Sequence, residues 1–360
     1  MHKKIILTNI FIILLVLCLS GCLDFLTSSE GAIYESQPVK ISYHIEYGYK
    51  IICSGRGLHA IKYDCDIPEV LVGTVSNIIA LNENYKNINI ATFNNMMSWN
   101  FTKTVCSDYT LGISANVYAK SYMITDLSGK DALNIQEIQN LYSNLVDQYC
   151  QQQCYNSKIF IDSDDEEIKN VASQIYNNTN SDNSFIVAKE IFKWLKQNTD
   201  YKINIGNVQQ ARTTFNEKTG DCDDLSFLYI SLCRSLDIPA RFIRGYLVEE
   251  DTAVAHAWVE VFVGNNLGVN GWIPVECAGS SDNIETEVNT NFAVESANHL
   301  RLFKDDGSNE SLDATLTGMS YSIAPELEFL GPDAFVEISN YQVLESKELS
   351  VNKNNIRTYL

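Results

Sequence analysis

An α+β fold that begins with a small all-β domain is predicted from changes in the hydrophobic pattern along the chain. Apolar and polar residues alternate over residues 39–47 and again over 111–119, which is the period of a half-buried strand. After a Ser-Gly turn at 128–129, apolar residues recur at three-and-four spacing over 135–149, the stripe of an amphipathic helix. A further apolar helix and two strands follow between residues 220 and 276. Helices packed on an antiparallel sheet are therefore expected after the β-domain.

The first 22 residues have the features of a secretory signal peptide. Lys3 and Lys4 precede an apolar stretch at 5–19, which is short for a membrane span, and Leu-Ser-Gly-Cys ends at Cys22. This ending resembles the bacterial-type lipobox, whose cysteine is lipidated, so Cys22 is predicted to anchor the mature chain to the cell membrane. An uncleaved signal anchor in which Cys22 is incidental is the alternative. In both cases the remaining residues are expected on the extracytoplasmic face.

The composition is that of an acidic protein with a sizeable core. Of its 360 residues 45% are hydrophobic, and 26 basic residues face 45 acidic ones, which gives a net charge of -19. This charge repels nucleic-acid phosphates and anionic lipid surfaces. Nucleic acid is therefore not an expected partner, and contact with the membrane is expected through the lipid anchor.

The β-domain is expected over residues 30–125. This domain and the segment after it contain the cysteines that are predicted to form disulfides in an exported protein. These cysteines all precede residue 220, and they are Cys53, Cys65, Cys106, Cys150 and Cys154. Their connectivity does not follow from the sequence. A redox or metal-handling role for them is an alternative, but no Cys-x-x-Cys pair with zinc-ribbon spacing occurs, so no metal site is predicted.

A second domain is expected over residues 130–300. Besides the helix at 135–149, Ser-Asp-Asp-Glu at 163–166 has the pattern of a capping box that starts a helix, and apolar spacing predicts another helix from Phe185 to Asn198. Residues 301–360 are a C-terminal extension of unclear structure. Their few strand-like runs either complete a sheet or form an appendage.

The sequence Gly-Asp-Cys-Asp-Asp at 220–224 places a cysteine in the first turn of an apolar helix that ends before Pro239. A helix N-terminus carries partial positive charge, which favours a thiolate, and the free amide of Cys222 could donate to an oxyanion. The neighbouring Asp221, Asp223 and Asp224 oppose a thiolate. Activation of Cys222 is therefore predicted to need an imidazolium partner.

His256 is predicted to be that partner. It lies in a strand whose even positions form one face and whose apolar odd positions form the other. A hairpin centred on Asn266 would pair Val259 with Ile273 and would set His256 opposite Glu276, with Cβ atoms about 5 Å apart. In that arrangement Glu276 accepts the imidazole proton and fixes its tautomer.

Four segments together resemble the transglutaminase-like domain of bacteria and archaea, over about residues 162–300. They are Gly-Asp-Cys-Asp-Asp at 220–224, Ile-Pro-Ala-Arg-Phe-Ile-Arg-Gly-Tyr at 238–246, Ala-His-Ala-Trp-Val-Glu-Val at 255–261 and Gly-Trp-Ile-Pro-Val-Glu at 271–276. The resemblance implies a papain-like core with the cysteine helix packed on an antiparallel sheet. It also implies that Cys222 is the nucleophile, His256 the base and Glu276 the orienting acid. Members of this family more often have Asp at the third position.

The expected chemistry is attack of a thiol on an amide bond through a thioester, with hydrolysis favoured over transfer and no cofactor required. Peptide or protein is the expected substrate, and the resemblance to exported prokaryotic members favours cell-envelope peptide. Gln209, Tyr201 and Trp258 are candidates for the substrate cleft or the oxyanion hole. The alternative is a non-catalytic binding or scaffold lipoprotein of the same fold, against which the intact Cys222, His256 and Glu276 argue.

Overall fold

Strands form both ends of the described chain and helices form its middle, which confirms the predicted α+β class. The computed structural model describes residues 31–81, 90–93, 95–155, 157–204, 208–264, 266–279, 281–308, 312 and 319–360. The predicted signal peptide and Cys22 lie outside the described residues. Within the described part, no helix combines the length and the apolar character needed to cross a bilayer.

The strands, in chain order, are β1 (Ala32–Ser54), β2 (Arg56–Asp66), β3 (Gly73–Ala80), β4 (Ile90–Phe93), β5 (Met96–Val105), β6 (Tyr109–Lys120), β7 (Tyr122–Met123), β8 (Gln153–Tyr155), β9 (Lys158–Ile161), β10 (Asp200–Tyr201), β11 (Thr219–Gly220), β12 (Ala240–Glu249), β13 (Thr252–Phe262), β14 (Trp272–Val275), β15 (Val294–Glu295), β16 (His299–Lys304), β17 (Ser320–Ile323), β18 (Glu328–Val351) and β19 (Arg357–Tyr359). The helices are α1 (Ile135–Leu141), α2 (Ser143–Tyr149), α3 (Glu166–Thr179), α4 (Ser184–Asn198), α5 (Ala211–Glu217), α6 (Cys222–Arg234) and α7 (Ile284–Asn291).

Two antiparallel sheets, with strand orders β19-β18-β1-β6-β3 and β17-β2-β5-β4, share one apolar core. The alternation predicted for residues 39–47 and 111–119 is confirmed, because Ile41, Ile45, Leu111 and Ile113 are fully buried in this core. A disulfide between Cys53, at the end of β1, and Cys106, after β5, links the two sheets.

The C-terminal segment completes both of these sheets. Strand β18 pairs along β1, from Ala32 opposite Val351 to Ser54 opposite Glu328, and β17 pairs with β2. The side chains of β18 are mostly exposed or half-buried, so its sequence lacks the regular apolar alternation that identified β1. The sequence left open whether the strands of the C-terminal segment complete a sheet or form an appendage, and the pairing of β17 and β18 shows that they complete sheets.

The cysteine helix α6 packs on a third antiparallel sheet, with strand order β14-β13-β12-β16. Leu228 and Leu232 of α6 share an apolar core with Val259 of β13, and helices α3, α4 and α5 contribute to the same core. The hydroxyl of Tyr229 donates to the carbonyl of Ala188 in α4 over 2.9 Å. Full burial of a leucine is worth about 1.5–3 kcal/mol, so this packing fixes α6 firmly.

Two predictions about the helices are corrected. The single helix expected over 135–149 is broken at Tyr142, whose backbone leaves the helical region and whose ring packs on Phe262 with centroids 4.9 Å apart. Helix α3 is capped by Asp165, which accepts from the amides of the second and third helical residues, rather than by Ser163. Ser163 instead donates to the carbonyl of Cys150. The helix predicted from Phe185 is confirmed as α4.

Arg357 of β19 joins the C-terminal segment to the helical part of the chain. Its buried guanidinium donates to the carbonyls of Ile124 (2.9 Å), Asn289 (3.0 Å) and Phe292 (2.8 Å). These acceptors lie beside β7 and α7, far from β19 in sequence.

The variant Arg357→Met is therefore expected to lose about 3 kcal/mol of stability, because it leaves buried carbonyls without donors. Urea unfolding followed by tryptophan fluorescence measures the change. Lys353→Met, an exposed substitution in the preceding turn, is the matched control. Equal unfolding midpoints for the two variants would contradict the assigned role of Arg357.

Candidate active site

Carboxylates hold the start of α6, where Cys222 is the first helical residue. Asp221 is the N-cap and forms a capping box with Asp224, whose carboxylate accepts from the amide of Asp221 (3.1 Å) and from the amide of Gln209 (2.6 Å). Gly220 is required beside them, because a Cβ there would lie 2.6 Å from the Cβ of Asp224. Cys222, whose thiol is partly exposed, thus begins a rigid helix, and the backbone N–H of this residue has no partner within that helix.

The acids around Cys222 carry less negative charge than the sequence suggested. Burial, together with the neighbouring Asp221, raises the pKa of Asp223 to about 8. Burial also raises the pKa of Asp224 to about 6, although the amide of Gln209 partly offsets this. Asp223 is therefore mostly protonated near neutral pH. Its predicted opposition to a Cys222 thiolate is correspondingly weaker.

His256 and Glu276 lie in direct contact, with 2.6 Å between Nε2 of the imidazole and Oε2 of the carboxylate. His256 is on β13, opposite Gly245 of β12, and Glu276 follows the last residue of β14. Because Nε2 is engaged by the carboxylate, Nδ1 is the nitrogen left for Cys222, whose thiol lies near enough to raise the pKa of His256. The three predicted residues are thus brought together in one place.

The hairpin register that led to this pairing is wrong by two residues. Val259 lies opposite Val275 and Val261 opposite Ile273, because the connecting segment closes a turn of its own in which Val269 bridges Trp272. A shift of two residues keeps every side chain on its predicted face. Glu276 therefore still reaches the imidazole, diagonally and just beyond the end of the ladder.

The interaction between His256 and Glu276 shifts the pKa of both groups. Burial by itself would lower the pKa of His256, but the Glu276 carboxylate and the Cys222 thiol outweigh it and raise the pKa to about 10. Burial likewise opposes ionisation of Glu276, yet the two histidines beside it hold the pKa of this carboxyl well below its usual range. The second oxygen, Oε1, accepts from the amide of Ala278 over 2.7 Å. Both groups are therefore ionised near neutral pH.

The second histidine is His299, which the sequence reasoning missed. Its Nε2 lies 3.1 Å from the same Oε2 of Glu276, and its Nδ1 lies 2.9 Å from the hydroxyl of Ser296. The ring packs edge-on against Trp258, with centroids 4.7 Å apart. His299 begins β16, and no local spacing rule connects it with His256. It is one of only four histidines after residue 22 of the sequence, and that scarcity was the one available signal.

Trp258 is corrected from a cleft candidate to a packing residue. It is only 1% exposed, and its indole N–H donates to Glu295 over 2.9 Å. Glu295 pairs with Arg301, which also pairs with Glu260 over 2.7 Å. This buried network of charges holds Trp258, whose ring packs against the rings of His256 and His299. Trp258 is therefore not positioned to contact a substrate.

The other two cleft candidates lie near the thiol. Tyr201, on β10, is 40% exposed, and β10 pairs with β11 directly before the cysteine helix. Burial, and then the nearby Cys222 and its acidic neighbours, raise the pKa of the Tyr201 phenol, so it remains a proton donor. The backbone amide of Gln209 is occupied by Asp224, and its side-chain oxygen accepts from Thr214 over 3.4 Å.

His256, Glu276 and His299 also form a group that could hold a metal ion, since their ligand atoms lie within 4.8 Å of one another. Both imidazole nitrogens already contact the carboxylate, however, at 2.6 and 3.1 Å. The two imidazoles and the carboxylate are therefore complete as a hydrogen-bonded group, and Cys222 lies close to His256. Such a group can hold an imidazolium beside a thiolate, which is the requirement for acyl transfer by a cysteine.

Residues 169–277 match the family profile of the transglutaminase-like superfamily, which confirms the resemblance inferred from the motifs. Among solved structures, the chain is similar to one from Cytophaga hutchinsonii described as a candidate cysteine protease, with 16% identity and a TM-score of 0.50 over 91% of this chain and 100% of that one. It is also similar to the periplasmic domain of TgpA from Pseudomonas aeruginosa, with 9% identity and a TM-score of 0.32 over 68% and 93%. No curated protein matches the chain. The first similarity shows that the fold extends over both the β-rich and the helical parts.

Proposed function

We propose that this chain is an extracytoplasmic thiol enzyme that cleaves amide bonds in peptides through Cys222, His256 and Glu276. The observation that carries the proposal is the 2.6 Å contact between His256 and Glu276, made by an imidazole whose pKa is also raised by the nearby thiol at the start of α6. The order of groups is that of a nucleophile, a base and an orienting acid.

In the proposed reaction the Cys222 thiolate attacks the carbonyl carbon, and a C–S bond forms as the carbonyl oxygen becomes negative. The amide of Cys222 donates to that oxygen, and the protonated, half-exposed Tyr201 is the better placed of the two remaining candidates for a second donor. His256 gives its proton to the leaving amine as the C–N bond breaks. Water, deprotonated by His256, then attacks the thioester and releases the acid and the thiol.

Hydrolysis is proposed over transfer because the partly exposed Cys222 is accessible to water, whose concentration exceeds that of any amine. An extracytoplasmic location is supported by the signal pattern at 1–22 and by the Cys53–Cys106 disulfide, since disulfides persist in oxidising compartments. Anchoring at Cys22 would place the enzyme on the extracytoplasmic face of the cell membrane, within reach of cell-envelope peptides.

Limited alkylation with iodoacetamide tests the proposal. Cys222 is expected to react at least about tenfold faster than Cys154, which is also partly exposed, below pH ~8, because its imidazolium partner stabilises the thiolate. The variant His256→Ala should remove that advantage and leave Cys154 unchanged. Peptide mapping by mass spectrometry measures both rates in one sample. If Cys222 reacts no faster than Cys154 in the unaltered chain, the scaffold alternative replaces the enzyme.

His299 is expected to act as a positioning residue for Glu276. His299→Ala should lower kcat for p-nitrophenyl acetate about 10–100-fold with little change in KM, since partners that orient a reacting group have effects of that size. His299→Gln keeps an N–H near the position of Nε2 and should recover most of the loss. A purely structural role would instead lower the unfolding midpoint of both variants and leave their kcat values alike.

A further inference from the structure

A cavity of about 670 Å³ lies where the third sheet meets the β-sandwich, the pair of sheets β19-β18-β1-β6-β3 and β17-β2-β5-β4 that share one apolar core. The sandwich contributes Tyr47 of β1, Tyr63 of β2 and Phe335 of β18, and the third sheet contributes Tyr246 of β12 and Ala255 of β13. Its volume falls within the range of about 300–1,000 Å³ that is typical of ligand sites. Aromatic side chains from both parts of the chain thus contribute to the walls.

One cation in this cavity has an unused donor. Arg244 of β12 lines the cavity, and its Nε is buried without a hydrogen-bond partner among the described residues. The nearest carboxylate, Asp66, lies 3.6 Å from Nη2, which is longer than a hydrogen bond. Burial lowers the pKa of Arg244 and raises the pKa of Asp66 to about 6. Both side chains are nevertheless partly exposed, so a ligand in the cavity could complete the hydrogen bonds of Arg244.

The charges in the cavity select against a charged ligand. Lys62 and Arg244 are balanced by Asp64 and Asp66, so a ligand carboxylate that approached Arg244 would also meet the anion of Asp66. A neutral amide fits better. Its carbonyl can accept from Arg244 while its N–H donates to Asp66, and an apolar or aromatic side chain can pack among the tyrosines.

We propose that this cavity binds a peptide segment through one backbone amide, held between Arg244 and Asp66, and one apolar side chain, held among Tyr47, Tyr63 and Tyr246. The cavity adjoins the proposed site through the backbone, because Ala255 precedes His256 and Gly245 lies opposite it. Identifying the ligand as a part of the substrate rests on the proposed function. The β-sandwich would then contribute to substrate recruitment.

Calorimetric titration of the full chain carrying Cys222→Ser tests the proposal, because that variant binds without forming a thioester. N-acetyl-phenylalanine amide is the probe. N-acetyl-phenylalanine, which has a carboxylate in place of the amide, is the ligand for comparison. The amide is expected to bind more tightly than the carboxylate. Arg244→Met should weaken amide binding at least about tenfold, since the lost hydrogen bond is made by a charged donor. Arg56→Met, at an exposed arginine of β2, is the control and should bind as well as Cys222→Ser alone.

Ala255→Leu offers a second route, because it fills part of the cavity while Arg244 and Asp66 themselves are unaltered, and it should also weaken binding. The proposal is overturned if Arg244→Met and Ala255→Leu both bind the amide unchanged, or if the carboxylate binds better than the amide. It is also overturned if a carbohydrate probe, a trimer of N-acetylglucosamine, binds and the amide does not. Loss of the enzyme proposal would be seen separately, as an unreactive Cys222 in the unaltered chain. Amide binding that depends on Arg244 would survive that result.

Discussion

Replacing Cys222 with alanine is expected to lower kcat/KM for p-nitrophenyl acetate by at least about 10³-fold, because Cys222 is the thiol that lies beside the His256–Glu276 pair. The burst of one p-nitrophenolate per chain should also disappear, since that burst reports acylation of the thiol. Stopped-flow absorbance measures both quantities. The five other free cysteines of the described residues remain in this variant, and four of them are buried.

Cys154→Ala is the matched control, because Cys154 is the other partly exposed free cysteine among the described residues. It should keep the full burst. A burst that persists in Cys222→Ala and vanishes in Cys154→Ala would move the nucleophile to the β8–β9 hairpin and would contradict the proposed site.

The change Glu276→Gln removes the negative charge shared by His256 and His299 and is expected to slow alkylation of Cys222 at neutral pH about 10–100-fold. Without the carboxylate, burial dominates and lowers the pKa of His256 from about 10. The imidazolium that stabilises the thiolate is then lost near neutral pH. Rates of iodoacetamide labelling across the pH range give the profile of each variant. Glu348→Gln, at an exposed carboxylate of β18, is the control.

The sign of the pH effect on stability follows from the same pKa values. In the unaltered chain the folded pKa of His256, about 10, lies above the usual value of about 6.5. Its contribution is therefore fully present below about pH 6.5 and is lost as the pH rises through about 10. Urea midpoints measured across this window should fall in the unaltered chain and change less in Glu276→Gln. Equal slopes in the two proteins would show that the ion pair does not form.

Local pattern was sufficient to predict several parts of this molecule. The period of two identified β1 and β6, and the spacing of apolar residues identified α4 and the start of α6 at Cys222. These features depend on residues a few positions apart, so one segment of sequence contains the whole signal. The face that carries His256 was predicted for the same reason, and it survived an error of two residues in register.

Contacts between distant segments were decided only by the tertiary structure. The pairing of β18 with β1, the Cys53–Cys106 disulfide and the contact of His299 with Glu276 join residues whose sequence separation carries no periodic signal. Protonation of Asp223 near neutral pH depends on burial, which a sequence motif does not reveal. The sequence by itself thus determined the three groups proposed for catalysis and the elements that carry them. The tertiary structure determined their register, the second histidine and the charges around them, because these depend on which surfaces pack together.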